Sequence, residues 1–190
     1  LLIKRSFEPA RGMWSLAGGF VKESESLDEA ASRILHQLTG LTDVYLEQSY
    51  TYGDIDRDQG ARVISTAYRA LIKITDIDRK LSEVSGAHWQ SLQRLPHLIF
   101  DHGTMVKRAL KELQIQIKVK PVGFELLPVK FTLVQLQELY EVIYQKSIDK
   151  RNFRKKILSM NILEKLNEKE KATSKKGAFY YSFQRERYES

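Results

Sequence analysis

Three sets of residues in this chain have the types and spacing to do chemistry. The first is the stretch Tyr50-Thr51-Tyr52-Gly53-Asp54-Ile55-Asp56-Arg57-Asp58, in which aromatic rings, carboxylates and an arginine alternate. Such groups stack on, and hydrogen-bond to, a polar ligand rich in hydroxyls. The second is Lys146 to Lys156, where six basic side chains and one acid occupy eleven positions. Lys150, Arg151, Arg154 and Lys155 fall near the start of a helix that Asp149 would cap, and this density suits phosphates and base edges. The third is Trp14-Ser15-Leu16-Ala17-Gly18-Gly19-Phe20-Val21, followed by Glu25, Arg33 and Gly40-Leu41. It places a glycine turn, a carboxylate and an arginine around one helix.

The elements that must carry these residues differ between the two ends of the chain. Apolar and β-branched runs at Leu1–Ile3, Val44–Leu46 and Val63–Ile74 predict strands, as does Ala87–Trp89 more weakly. Leu27, Ala30, Ala31, Ile34, Leu35 and Leu38 recur at helical spacing, and Gly40 stops that helix. A second helix is expected from about Asp101 to Ile117, which makes the first unit α+β. Pro121 and Pro128 bracket a connector, and the domain boundary is placed near 120, giving units 1–120 and 121–190. Beyond it, Thr132 caps a helix with Leu133, Leu136, Leu139, Tyr140, Ile143 and Tyr144 on one stripe, and Asp149 caps another running to about Ser159. Segments at Ile162–Leu166 and Ala178–Phe183 then flank a polar stretch containing Lys175 and Lys176, so the order is helix, turn, helix, hairpin.

Composition narrows the possibilities. The chain has 190 residues, 42% of them hydrophobic and 29% charged, with a net charge of +7. No run approaches the roughly 18 apolar residues of a membrane span. Zero cysteines exclude disulfides and thiolate metal sites, and the reading places the chain in a reducing cytoplasm. Residues 121–190 carry 14 Lys/Arg against 9 Asp/Glu, whereas residues 1–120 carry 17 against 15. The basic second unit therefore points to nucleic acid among anionic partners. The chain opens on Leu1-Leu2-Ile3 inside an expected strand, which suggests a preceding segment.

Gly19, Glu25, Arg33, Leu35, Gly40 and Leu41 align without a gap to the pattern G-x(5)-E-x(7)-R-E-U-x-E-E-x-G-U, where U is aliphatic, so the segment resembles the Nudix box. Active members carry three glutamates after the arginine, spaced to hold Mg²⁺ against a diphosphate. Here Ile34, Gln37 and Leu38 stand in those places, so no metal site, no cofactor and no hydrolysis are expected. The resemblance implies that Lys4, Arg5, Trp14, Glu23, Glu25 and His88 line one side of a Nudix sheet; with Tyr52, Asp54, Asp56 and Arg57 they form the candidate effector site.

The match extends through Glu47 to Asp54, Phe100-Asp101-His102, Leu126-Leu127-Pro128, Phe131-Thr132-Leu133 and Asp149 to Lys156, which together look like the Nudix-related transcriptional regulators of the NrtR type. That resemblance implies a Nudix-like α/β/α sandwich followed by a winged helix, in a homodimer that binds double-stranded operator DNA and a small effector. Lys146, Lys150, Arg151, Asn152, Arg154, Lys155, Lys175 and Lys176 are the DNA-binding candidates, with Arg151 and Asn152 as base readers. One branch of the family answers to ADP-ribose and another to L-arabinose. The lost glutamates and the tyrosine- and aspartate-rich loop favour a sugar-responsive repressor of carbohydrate utilisation. An ADP-ribose-responsive regulator of NAD metabolism, a residual hydrolase and a pure interaction module are the alternatives.

Overall fold

Capping residues set the limits of the first helix, α1 (Leu27–Thr39). Ser26 accepts a hydrogen bond from the Glu29 amide and its own amide donates to the Glu29 carboxylate, while Gly40 ends the helix at φ 73°. That left-handed conformation costs glycine nothing sterically. The computed structural model describes residues 1–73, 83, 85–119, 122–170, 177–184 and 186.

The chain divides into two units, Leu1–Glu112 and Leu113–Ser190. In the first, β1 (Leu2–Lys4) lies between β2 (Trp14–Leu16) and β5 (Ala87–His88), antiparallel to both. β3 (Glu47–Tyr52) and β4 (Ser65–Arg69) form a second antiparallel sheet. The Ile99 amide donates to the Trp14 carbonyl at 3.0 Å, tying the approach to helix α2 (His102–Val119) onto the first sheet. Leu2, Ala30, Ala87, Leu98, Ile99 and Met105 are buried in this unit.

Three expectations shift. The strand placed at Val44–Leu46 begins instead at Glu47, because polar pairings hold it: Arg69 donates to Glu47, and Ser49 donates to Glu112. The run Val63–Ile74 yields a strand only over Ser65–Arg69, and Ile74 lies outside the described residues. The unit division falls inside α2, ahead of the proline-marked connector, because Ile117 is buried in the second core with Leu113 packed against it.

In the second unit, β6 (Phe131–Thr132) leads into α3 (Leu133–Tyr144) and α4 (Lys150–Ser159), followed by the ribbon of β7 (Leu163–Glu170) and β8 (Ala178–Phe183). The sheet order is β6-β8-β7, antiparallel throughout. Phe131, Leu136, Tyr140, Ile143, Phe153 and Ile157 form the core, and Phe124 stacks on Phe183 with ring centroids 4.4 Å apart. β7 runs farther than the expected Ile162–Leu166. Among the described residues no helix is long and apolar enough to cross a membrane.

Candidate functional site

The helix α1 brings Glu25 and Arg33 together and leaves Glu25 fully engaged. Arg33 donates to both carboxylate oxygens, through Nε at 2.8 Å and Nη2 at 2.5 Å, and the Lys22 amide donates to the same carboxylate at 2.9 Å. The Arg33 hydrogen bonds, followed by the Lys22 amide, hold the Glu25 carboxyl down at about 2. Arg33 also donates to the Phe20 carbonyl at 3.0 Å and to Gln37 Oε1 at 3.3 Å. Ile34 presses on the glycine turn: a Cβ added at Gly19 would lie 3.0 Å from Ile34 Cδ1.

Two other acids of this turn are also engaged. Glu29 belongs to the helix cap and Asp28 accepts from the Tyr68 hydroxyl; Glu23 stands exposed. Among the described residues no three His, Asp or Glu side chains gather as a metal site. Two aliphatic side chains, an amide and one arginine-bound carboxylate do not fit a hard dication that needs anionic oxygens.

On the first sheet, Lys4, Trp14 and His88 form one cluster. Lys4 Nζ lies 5.2 Å from the Trp14 ring centroid, and the Trp14 and His88 rings meet edge to face at 5.4 Å. The register opposing Lys4 to Trp14 and Leu2 to His88 explains this, because side chains two apart on a strand share a face. Arg5 lies over the Phe7 ring at 4.0 Å and 5.6 Å from the Phe100 ring.

The loop residues separate into distinct settings. Tyr52 is buried edge-on against Tyr50 at 5.0 Å, and its hydroxyl has no hydrogen-bond partner among the described residues. Burial pushes its phenol up. Asp54 and Asp56 are exposed. Arg57 does not extend toward a ligand: its side chain is 4% exposed, donates to both Asp101 oxygens at 3.0 and 2.9 Å, and donates to Ser65 at 2.7 Å. Its place in the candidate site is corrected to that of a clamp between the loop, β4 and the start of α2.

Arg108 and Arg62 of this region escaped the sequence reading, and His102 at the start of α2 is structural. Arg108 lies over the Tyr50 ring at 3.4 Å and donates to Glu112 at 3.0 Å. Their spacing of four on one helix was the available signal. Arg62 holds the loop through the Gly53 carbonyl at 2.8 Å and the Asp54 carbonyl at 3.1 Å. The Leu16 amide donates to His102 Nδ1 at 3.1 Å, which leaves the proton of the neutral ring on Nε2, and burial lowers the imidazole pKa.

In the second unit, side chains fix the turn between α3 and α4. Gln145 closes α3 at φ 55°, Glu141 accepts from the Ile148 amide at 2.9 Å, and Gln137 donates to the Ile148 carbonyl at 3.0 Å. Asp149 then accepts from the Asn152 amide at 2.8 Å and starts α4. Lys150, Arg151, Arg154 and Lys155 are exposed and make no ion pair among the described residues. A row of uncompensated cations on a capped helix can take phosphates and guanine edges.

Asn152 differs from its neighbour Arg151. It lies on the flank of α4 that lines a cleft together with Lys146 and with Lys156, which is one turn further along the same helix face. On the ribbon, Lys165 and Lys169 both lie over the Phe179 ring, at 3.7 and 4.5 Å. Lys175 and Lys176 lie outside the described residues.

Comparison with known proteins fits this arrangement. Residues 1–111 match the model of the NUDIX domain, and residues 123–183 match that of the NrtR DNA-binding winged helix domain. The chain is 30% identical to an ADPR responsive transcriptional repressor of Acinetobacter baylyi, over all of this chain and 77% of the relative. It is 33% identical to an ADP-ribose pyrophosphatase of Methanocaldococcus jannaschii, over 56% of this chain and 63% of that enzyme. Among solved structures, NrtR of Shewanella oneidensis complexed with a 27mer DNA is similar at a TM-score of 0.78 and 28% identity, covering 99% of this chain and 87% of that one.

Proposed function

Since this chain belongs to the NrtR family of transcriptional regulators, a NUDIX domain followed by a DNA-binding winged helix, we propose that it is an ADP-ribose-responsive repressor that senses its effector without metal and without hydrolysis. Binding of ADP-ribose to the NUDIX unit releases the winged helix of a homodimer from operator DNA. The observation that carries the sensing role is the state of Glu25, whose two oxygens are bound by Arg33 while Ile34 and Leu38 occupy neighbouring box positions.

The effector assignment departs from the sugar favoured by the sequence. That preference rested on a diphosphate needing a metal, yet Lys4 and Arg5 offer cationic groups beside Trp14 and Phe100. Cations can balance a diphosphate in place of a dication, and aromatic rings can stack on adenine. The repressor and the pyrophosphatase that resemble this chain both carry ADP-ribose in their names, and neither supports L-arabinose. Tyr52, Asp54 and Asp56 stay in the proposed site with Lys4, Arg5, Trp14 and His88.

The deciding experiment is a thermal-shift titration with ADP-ribose and with L-arabinose, each in Mg²⁺ and in EDTA, with AMP release followed in parallel. ADP-ribose at 100 times its Kd stabilises by about 2.7 kcal/mol, a rise in Tm of several degrees. The expected rise is equal in Mg²⁺ and EDTA, with no AMP. A rise with L-arabinose alone, or AMP formed in Mg²⁺, would overturn the reading.

A further inference from the structure

The winged-helix unit contains a cleft that the proposed ADP-ribose switch does not use. Its lining comes from the last turns of α2, the second half of α3 and one flank of α4, and its volume is about 340 Å³. That is the size of a small-molecule site. Tyr140, Phe153 and Ile157, all buried, make its apolar floor. Lys118, Lys146 and Lys156 line it as well; all three are exposed and make no ion pair among the described residues.

Two features select the occupant. Three lysines around an apolar floor repel cations and leave a neutral apolar molecule unable to use the charge, so the complementary ligand carries a negative group and a flat hydrophobic body. Tyr140 and Tyr144 also border the cleft, and neither hydroxyl makes a hydrogen bond among the described residues. Burial pushes the Tyr140 phenol up to about 12 and the Tyr144 phenol up as well, so both stay protonated and can donate to an anion.

We propose that this cleft is a second ligand site, for a small amphipathic anion whose aromatic body rests on Tyr140, Phe153 and Ile157 and whose carboxylate, sulfonate or phosphate lies among Lys118, Lys146 and Lys156. The site is wired to DNA binding by position. Asn152 and Lys156 are one turn apart on the cleft flank of α4, whereas Arg151 and Lys155 occupy the neighbouring outward face. An occupant therefore adds negative charge against the same helix that offers its cations to DNA. Operator affinity falls when the cleft fills, through a route separate from ADP-ribose.

The probe is 8-anilinonaphthalene-1-sulfonate, an aromatic anion that fluoresces when bound, titrated into the full chain. The expected result is saturable binding that persists in saturating ADP-ribose, weakens at least tenfold in Lys118→Glu and in Lys156→Glu, and is unchanged in Lys111→Glu, the same charge reversal outside the cleft. Added dye should also lower operator affinity, whereas Lys118→Glu leaves the thermal shift with ADP-ribose intact. Absence of saturable binding, displacement of the dye by ADP-ribose, or equal affinities across the three variants would overturn the proposal. Absence of saturable dye binding, or equal affinities across the variants, leaves the ADP-ribose reading untouched, because that reading is tested by the thermal shift with ADP-ribose itself.

Discussion

At the scale of single residues, the Glu25–Arg33 pair shows how a catalytic signature becomes a structural one. The carboxyl is held at about 2 against an ordinary value of 4.5, first by the Arg33 hydrogen bonds and then by the Lys22 amide. The folded pKa lies below the unfolded one, so the pair's stabilisation is full above the unfolded value and is lost as pH falls toward about 2. Glu25→Gln should therefore lower Tm at pH 7 and converge on the parent as pH falls from about 4.5 to 2. A constant gap across that range would mean that the residue acts by packing alone. Arg57 gives a second test, because its guanidinium is buried while Asp101 remains partly exposed. Arg57→Ala strands Asp101 and Ser65, and should destabilise the first unit by about 2–4 kcal/mol in a denaturant titration. A loss below about 1 kcal/mol would return Arg57 to the list of ligand-facing groups.

At the scale of elements, α4 must be both formed and charged, and two substitutions separate these needs. Asp149→Ala removes the cap on the Asn152 amide and should cost about 1 kcal/mol of stability, weakening binding to any DNA through a frayed helix start. Arg151→Ala leaves the cap in place and should reduce operator affinity ~10–100-fold with little change for non-specific DNA. Equal effects on both DNAs would make Arg151 a phosphate contact. The sequence disclosed the Gly40 stop of α1 and the Thr132 and Asp149 caps of α3 and α4, because such residues at helix ends act locally and need no tertiary partner; the Ser26 cap of α1 was not read. β3 was misplaced for the opposite reason: its half-buried face carries Glu47 and Ser49, satisfied by Arg69 and Glu112 from far along the chain. The same limit applied at the site. Glu25 and Arg33, eight residues apart on a helix and its lead-in, were legible as members of the box pattern, but Glu25 was expected to face the effector and its engagement by Arg33 was not read; nor was the distant pairing of Arg57 with Asp101, so a buried clamp read as a ligand-binding arginine. Asn152 read as a base contact from its amide and its place in the first turn of α4; it is exposed there and also borders the cleft.

At the scale of the molecule, the excess positive charge of the second unit becomes a measurable count. Lys146, Lys150, Arg154 and Lys155, in α4 and the turn that leads into it, are the candidates for phosphate contact beside the base-reading Arg151, and none makes an ion pair among the described residues. Each phosphate neutralised contributes about −0.9 to the slope of log affinity against log salt concentration. One copy using all four would give a slope of about −4, and a dimer on two half-sites about −7. Binding as the proposed homodimer would give the steeper value in operator titrations between 50 and 200 mM salt, and a slope near −4 would argue for a single copy. ADP-ribose then tests how release works. If the effector turns the paired winged helices out of register with the half-sites, one set of phosphate contacts is lost, and the slope should move from about −7 toward −4 as affinity falls. A coupling of about 1–3 kcal/mol corresponds to a 5–150-fold loss of affinity. A loss of that size with the slope unchanged would mean that all phosphates remain bound and that the effector acts on the base-reading contacts of α4 instead.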